Sequence, residues 1–341
     1  MLLQPNPSSG VPIYLQLIER VKRSIETGAL RPGEPLPGIR PLAEALVINP
    51  NTVAKAYREL ECEGVIDLRP DAAGLLAFAR GFEKPSRGRV DRRPVHELYN
   101  DLETAREVQQ RLLPQESPPI AGVDYAGVCR PVYSVGGDYY DFIRLSDTEL
   151  GIAVADVCGK GIPAALLMAT LRAYLHGETQ HCATDPAQLM RTLNRLVCES
   201  FSTNRFASFF YAHDDSSIRA LHYVNAGHNP PLIFRTRERR CDVLHLDPGG
   251  PVIGLLPNCV YAQGRVTLEP GDLVVAFTDG ISEAMNTAGD EWGEERLTEL
   301  VEANRALPVH ALIDRIMRGA DEFVAGASQH DDMTLATMRV T

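Results

Sequence analysis

Apolar residues recur at helical spacing in the first quarter of the chain and again before its midpoint, and between and beyond them the pattern changes to short apolar runs. In PIYLQLIERVKRSIET, residues 12–27, Tyr14, Leu17, Ile18, Val21 and Ile25 fall on one stripe, which predicts an amphipathic helix stopped by Gly28. After the turn-rich LRPGEPLPG, a short helix is expected from Pro41 and a second over 50–64, capped by Asn49. Two helices joined by a tight turn read as helix-turn-helix. VIDLRPDAAGLLAF then reads as two short strands around a turn, completing a small winged helix over residues 1–80.

Residues 81–94, GFEKPSRGRVDRRP, are polar, basic and broken by Gly and Pro, and are expected to be a linker. Helical spacing returns over 95–113 with Leu98, Leu102, Ala105, Val108 and Leu112, and Pro114 ends it. From residue 120 to 341 strand-like runs follow one another: VDYAGVCR, YYDFIRL, ELGIAVADV, RFASFFYA, ALHYVNAG, PLIFRT, DLVVAFTDG and MTLATMRV. Helices are expected only over 162–176, 186–202, 293–304 and 308–325. Strands in succession between helix pairs predict an α+β fold with antiparallel sheets and helices packed outside them.

At 341 residues the chain calls for two or more cores. Its net charge of −11 argues against a surface built throughout for nucleic acid, though not against a local basic patch. No apolar run approaches the roughly 20 residues that span a bilayer, and no basic segment precedes an apolar one at the amino end. The expectation is therefore a chain without membrane contact. The seven cysteines, Cys62, Cys129, Cys158, Cys182, Cys198, Cys241 and Cys259, never stand as C-x-x-C. Reduced thiols in a cytoplasm fit that pattern, and a zinc ribbon does not.

Candidate chemistry concentrates in aspartates at strand ends. Asp156 closes GIAVAD, Asp279 closes LVVAFTD, Asp138 follows Gly136 and Gly137 before YYDF, and Asp331 with Asp332 precedes MTLATMRV. One such Asp is a cap or turn residue; the recurrence points to hard divalent cations, which prefer carboxylate oxygens. Rival readings of AVADVCGKGIPAALL are weaker. A phosphate loop needs Lys followed by Ser or Thr and a Gly five residues before the second one, whereas Gly161 follows Lys160 here. Cys158 as nucleophile would need a neighbour that lowers its pKa. Lys160 reads equally as a phosphate-attracting group and as a solvated charge, and His228 in NAGHNPP as a site neighbour or a loop cap.

SVGGDYYDF, VADVCGKGIPAALLMA, NAGHNPP, FTDGISEA and QHDDMT, in that order, resemble the RsbU and SpoIIE serine/threonine phosphatases of the metal-dependent PPM (protein phosphatase 2C) superfamily, over about residues 95–341. The resemblance implies an α/β/β/α sandwich of two antiparallel sheets over 120–341, with two Mn²⁺ or Mg²⁺ ions at one end. It implies that a water held by the ions attacks phosphoserine or phosphothreonine in line, with no phosphoenzyme. By motif, Asp138, Asp156, Asp279 and Asp331 carry catalysis through that water; the ions are held by these four, the Val157 carbonyl and Asp332, the choice between Asp331 and Asp332 staying open. Gly137, Gly159, Lys160, Gly161, His228 and Gly280 fall beside them, and Asp141 is read either as supporting the ligands from outside the ions' contact or as structural. Many superfamily members place a histidine after the bridging Asp; Cys158 and Lys160 stand in that loop here, which leaves the leaving-group acid unassigned. The resemblance further implies a regulatory and dimerising helix with its connector over 95–119, and a phosphorylated regulator, such as an anti-sigma-factor antagonist, as substrate.

Residues 12–69 resemble the GntR-type winged helix. That family's DNA contacts correspond to Arg40, Asn51, Thr52, Lys55 and Arg58. The wing departs from the family: RPDAAGLLAF carries Asp71, Leu75 and Leu76 in place of a basic, glycine-rich tip. A DNA-binding module and a dimerising, signalling module are both consistent with it. The alternative to an enzyme is a transcriptional regulator whose phosphatase-like domain only senses or dimerises.

Overall fold

The computed structural model describes residues 13–31, 33–46, 48, 50–62, 65–71, 74–79, 95–201, 205–237 and 240–341. The chain divides into two compact units, Met1–Val95 and His96–Thr341.

In the first unit α1 (Ile13–Glu26), α2 (Ile39–Leu46) and α3 (Pro50–Cys62) precede a hairpin of β1 (Ile66–Asp71) and β2 (Gly74–Ala79). The expected stripe of α1 is the packed one: Leu17, Ile18, Val21 and Ile25 are buried against Leu42, Val53, Ala56 and Leu60. Gly28 takes a φ of 73° at the stop, a conformation that costs glycine little. The hairpin is antiparallel, with Asp71 opposite Gly74, so the wing closes at the expected turn. Asn49, proposed as the cap of α3, lies outside the described residues.

The second unit opens with α4 (Val95–Gln110), three residues shorter than the periodicity predicted. Leu112 and Leu113 leave the helix in a turn, their N–H groups reaching back three residues to Gln109 and Gln110, because Pro114 disfavours helical geometry before it. β3 (Val123–Arg130), β4 (Tyr139–Arg144), β5 (Glu149–Val157), α5 (Ile162–Cys182), α6 (Pro186–Ser200), β6 (Ala207–Asp215), β7 (Ala220–Ala226), β8 (Leu232–Arg237), β9 (Arg240–His245), β10 (Gly264–Thr267), β11 (Leu273–Phe277), α7 (Asp279–Ser282), α8 (Gly293–Asn304), α9 (Val309–Val324) and β12 (Met333–Val340) follow.

Two five-stranded sheets, ordered β10-β7-β6-β5-β4 and β3-β12-β11-β8-β9, form an α/β/β/α sandwich, and every strand pair within them is antiparallel. Alternation along β5 makes the layers. Ile152 and Val154 meet Phe210, Val274, Ala276 and Met338 between the sheets, while Ala153, Ala155 and Val157 face α5 and α6. A third core joins β11 and β12 to α8 and α9 through Phe277, Leu297, Leu312 and Ile316.

Helix α5 exceeds its predicted end by six residues, because Thr179 and Cys182 continue its buried side beyond the His176 at which the apolar spacing falters. α6 ends at Ser200, two residues short of the prediction. β9, β10 and the one-turn α7 went unpredicted; β9 and β10 are polar edge strands, with too little apolar alternation to announce themselves. Among the described residues no helix is long and apolar enough to cross a membrane.

Candidate active site

Antiparallel pairing brings the aspartates to one end of the sandwich. β4 begins where β5 finishes, with Tyr139 opposite Ala155, so Asp138 and Asp156 stand at the next position of the same ladder. In the other sheet β12 begins where β11 finishes, with Phe277 opposite Leu335, and this sets Asp279 beside the Asp331–Asp332 pair.

Two close backbone approaches hold these ends together. A Cβ on Gly280 would lie 1.9 Å from the Asp332 carbonyl oxygen, so only glycine lets α7 start against β12. A Cβ on Gly137 would lie 2.8 Å from the Val157 carbonyl oxygen, which presses the Asp138 loop onto the end of β5. Gly159 and Gly161, with φ of 98° and 70°, carry the chain round the turn from β5 into α5.

The carboxylates are crowded. Burial, then the Asp279, Asp138, Asp331 and Asp332 charges, push Asp156 well above the usual carboxylate range. Asp138 is pushed up by burial and then by Asp332, and the Thr278 hydroxyl, donating to Asp138 Oδ2 at 2.7 Å, pulls it back. Thr278 Oγ1 in turn accepts from the Thr334 N–H at 3.0 Å, which ties β11 to β12 beneath the site.

The paired aspartates differ. Asp332 is buried, its Oδ1 accepting from the Val132 N–H at 2.7 Å and its Oδ2 from Gly137 at 2.7 Å and Asp138 at 3.4 Å. Its lone pairs are spent on pinning the loop that carries Asp138. Asp331 is partly exposed and pairs with Lys160 Nζ at 3.0 Å, while Lys160 also donates to the His330 carbonyl.

Among the described residues, no three His, Cys, Asp or Glu side chains stand together as a ready ion-binding group. The carboxylates hold other partners instead: Thr278 on Asp138, Lys160 on Asp331 and three N–H groups on Asp332. The donor set nonetheless suits hard cations. Several carboxylates raise one another's pKa, with the acceptor-only chemistry that a divalent charge relieves, and Asp331 needs only to leave a half-buried lysine.

His228 is buried behind the site. Its Nδ1 shares a 2.7 Å hydrogen bond with Ser208 Oγ, and Ser208 faces Asp156 across β5 and β6. Burial lowers its pKa to about 4, so it stands neutral at physiological pH. Asp141 accepts from Tyr139 Oη at 2.5 Å and from the Phe142 N–H at 2.8 Å, and bonds His176 Nε2 of α5 at 2.7 Å.

Sequence reasoning missed Gln109. Its Nε2 donates to the Gly136 carbonyl at 2.8 Å and its Oε1 accepts from the Gly136 N–H at 2.9 Å, so α4 grips the backbone two residues before Asp138. Apolar spacing along α4 says nothing of its polar positions, and the pair of glutamines in EVQQRLL is the only signal for it.

In the first unit Lys55 Nζ lies 4.8 Å over the Tyr14 ring, Arg58 is exposed and Thr52 half-buried. The Arg40 and Asn51 side chains lie outside those described.

Comparison with known proteins gives a family for each unit. The SpoIIE family, Stage II sporulation protein E, matches residues 146–341, and the gntR family of bacterial regulatory proteins matches residues 13–73. Asp138 precedes the first of these spans, so its place rests on the strand pairing. Protein IcfG of Synechocystis sp. is 30% identical over 296 residues, covering 78% of this chain and 46% of its own length. Phosphoserine phosphatase RsbU of Bacillus subtilis is 30% identical over 243 residues, 71% of each chain. The chain thus spans about half of the one relative and over two thirds of the other. The solved SiaA-PP2C domain of Pseudomonas aeruginosa shares the fold, with a TM-score of 0.65 at 21% identity, covering 72% of this chain and 98% of that one. The chain belongs to the SpoIIE family, and carries a GntR-family winged helix ahead of that domain.

Proposed function

We propose that the protein hydrolyses phosphoserine or phosphothreonine on a regulatory protein, such as an anti-sigma-factor antagonist, with two Mn²⁺ or Mg²⁺ ions bound at the carboxylate cluster. The observation that carries this reading is the meeting of four strand-end aspartates from both sheets, close enough that the others raise the pKa of Asp156. Asp138, Asp156, Asp279 and Asp331 would hold the ions, with the Val157 carbonyl beside them. Bound there, the ions supply charge for the phosphoryl oxygens and acidify the attacking water.

The chain's own residues set the stage. Asp332 fixes the loop of Asp138, Thr278 orients the Asp138 carboxylate, and Gln109 links α4 to that loop. That link supports α4 and its connector, residues 95–119, as a regulatory element between the winged helix and the catalytic domain. A homodimer formed through α4, and DNA contact through Thr52, Lys55 and Arg58 with Arg40 and Asn51, belong to the same proposal, set in the cytoplasm. A purely sensory domain is not favoured, because every acidic position of the motifs is kept.

The test is turnover of a phosphoserine peptide with Mn²⁺ by wild type and Asp156→Asn. The expected loss in the variant is about a thousandfold or more, the scale on which removing a group acting only on the transition state is felt. Equal rates in the two proteins, or none in either across metals and salt, would end the enzyme reading.

A further inference from the structure

His228 lies behind the carboxylates, and its backbone is held in place from several sides. Asn225, fully buried near the end of β7, accepts from the His228 N–H at 2.8 Å and donates to the His228 and Leu246 carbonyls, each at 3.0 Å. Gly227 between them takes a φ of 68°, and a Cβ there would meet the Val252 side chain at 2.8 Å. Val154 and Phe210, paired across β5 and β6, pack into the core between the sheets. Asp156 and Ser208 are the pair two residues further along the same ladder, so both point to that side.

The His228 ring reaches both sheets. Its Nδ1 bonds Ser208 Oγ at 2.7 Å, and its Nε2 is buried beside the Phe277 carbonyl at the end of β11 without a well-formed hydrogen bond. A carbonyl oxygen only accepts, and a bare ring lone pair would repel it, so the ring proton belongs on Nε2. Burial keeps the ring neutral, which leaves Nδ1 a lone pair, and the Ser208 hydroxyl must supply the proton of their bond. A hydroxyl has one proton to give. With it committed to His228, Ser208 Oγ offers only lone pairs to the space beside Asp156. The contrast is Asp138, where the Thr278 hydroxyl donates at 2.7 Å and occupies a carboxylate lone pair.

We propose that His228 is a positioning residue that takes up the Ser208 hydroxyl proton, so that Asp156 keeps its oxygens for cations and Ser208 Oγ accepts from water beside it. The proposal rests on the phosphatase reading for its cations and its water. The place of the proton is testable without that reading.

The experiment uses the full chain as wild type, Ser208→Ala, His228→Phe and the double variant. Nitrogen NMR of the histidine rings reads the tautomer in metal-free wild type, His228 being the ring whose signal moves in Ser208→Ala; a neutral Nε2–H ring is expected. Calorimetry reads Mn²⁺ binding, and thermal unfolding in EDTA reports the fold of each variant. His228→Phe keeps the bulk of a ring and frees the Ser208 proton for Asp156. Mn²⁺ should then bind about tenfold more weakly or worse, the scale of one competing hydrogen bond to a charged group. Deleting that proton as well should restore binding: the double variant should match Ser208→Ala, which binds Mn²⁺ as wild type does. A merely structural His228 predicts no such recovery, since a second truncation returns nothing. With phosphopeptide, Ser208→Ala should lower kcat about tenfold at an unchanged KM, the loss of one contact made in the reaction step. An Nδ1–H tautomer, wild-type Mn²⁺ affinity in His228→Phe, no recovery in the double variant, no Mn²⁺ binding by wild type, or an unchanged kcat in Ser208→Ala would overturn the assignment. A wild type that shows the Nε2–H ring and this Mn²⁺ pattern but hydrolyses no phosphopeptide would sink the phosphatase reading and leave the role of His228 at Asp156 standing.

Discussion

Asp331 and Asp332 are neighbours of one chemical type, and the structure predicts opposite consequences for removing each charge. Asp332→Asn leaves one acceptor oxygen for two short bonds, from Val132 and Gly137, and turns an amide N–H₂ towards a backbone N–H. Each carboxylate–backbone bond is worth about 1.5–3 kcal/mol, or about 3–6 kcal/mol for the pair. Part is returned, because burial and the Asp331 charge already push Asp332 up, and its removal relieves Asp138. A net loss of about 2–4 kcal/mol remains, or roughly 5–15 °C in Tm for a domain of this size.

Asp331→Asn breaks one ion pair, with Lys160, whose two side chains are about a third exposed. Such pairs contribute about 0–1 kcal/mol. Unfolding followed in EDTA should thus show Asp331→Asn within about 3 °C of wild type and Asp332→Asn well below it. Added Mn²⁺ reverses the order of interest: at a hundredfold excess over its Kd, a bound ion stabilises by about 2.7 kcal/mol, and Asp331→Asn should lose most of that rise while Asp332→Asn keeps part of it. Equal losses in EDTA, or a full Mn²⁺ rise in Asp331→Asn, would refute the division into a ligand and a loop clamp.

Further outcomes follow from the same geometry. Gly280→Ala should fail to accumulate as folded protein, or melt far below wild type, because its Cβ meets backbone at 1.9 Å and cannot be accommodated by a rotamer change. Gln109→Ala should weaken apparent Mn²⁺ affinity by about three- to tenfold, from two lost hydrogen bonds, with kcat at saturating metal little changed; a metal titration of turnover reads this, and an unaltered titration removes Gln109 from the coupling. Asp214 is pushed up to about 7 by burial and then by Asp215. Its folded pKa exceeds the unfolded one, so the fold binds the extra proton between about pH 4 and 7 and loses stability as pH rises through that window. Asp214→Asn should therefore gain up to about 4 kcal/mol relative to wild type at pH 8 and almost nothing at pH 4; a pH-independent difference in Tm would contradict this.

What could be read from the sequence was whatever a strand or helix writes along its own length. β5 and β11 announced themselves by apolar runs that end in acids, and their aspartates could be listed because position at a strand end is a local property. α5 was readable at its start, where Pro163 follows two turn glycines, and unreadable at its end, where Thr179 and Cys182 are buried only by the packing of the folded domain. The roles of Asp331 and Asp332 were out of reach for a related reason: both precede the same strand, and only the return of Val132 and Gly137 from nearly 200 residues away decides which carboxylate is spent. Gln109 carries no motif at all. It is placed by a helix packing its polar side on a loop, a relation that does not exist before the chain folds.

That difference bears on how such a site is controlled. The residues written in motifs would hold the ions, whereas of the ones that fix their spacing, Asp332 and Gln109 act on backbone groups that any residue could supply, and Thr278 acts on the Asp138 carboxylate itself. A carboxylate cluster that raises its own pKa is held together against its own repulsion, so small changes in these backbone contacts alter how well it can receive cations. Gln109 alone among them sits on an element outside both sheets, and a shift of α4 would reach Gly136 directly and Asp138 two residues later. Control by a domain at the far end of α4 therefore needs no contact with a metal ligand; it needs only to move the helix that holds the loop.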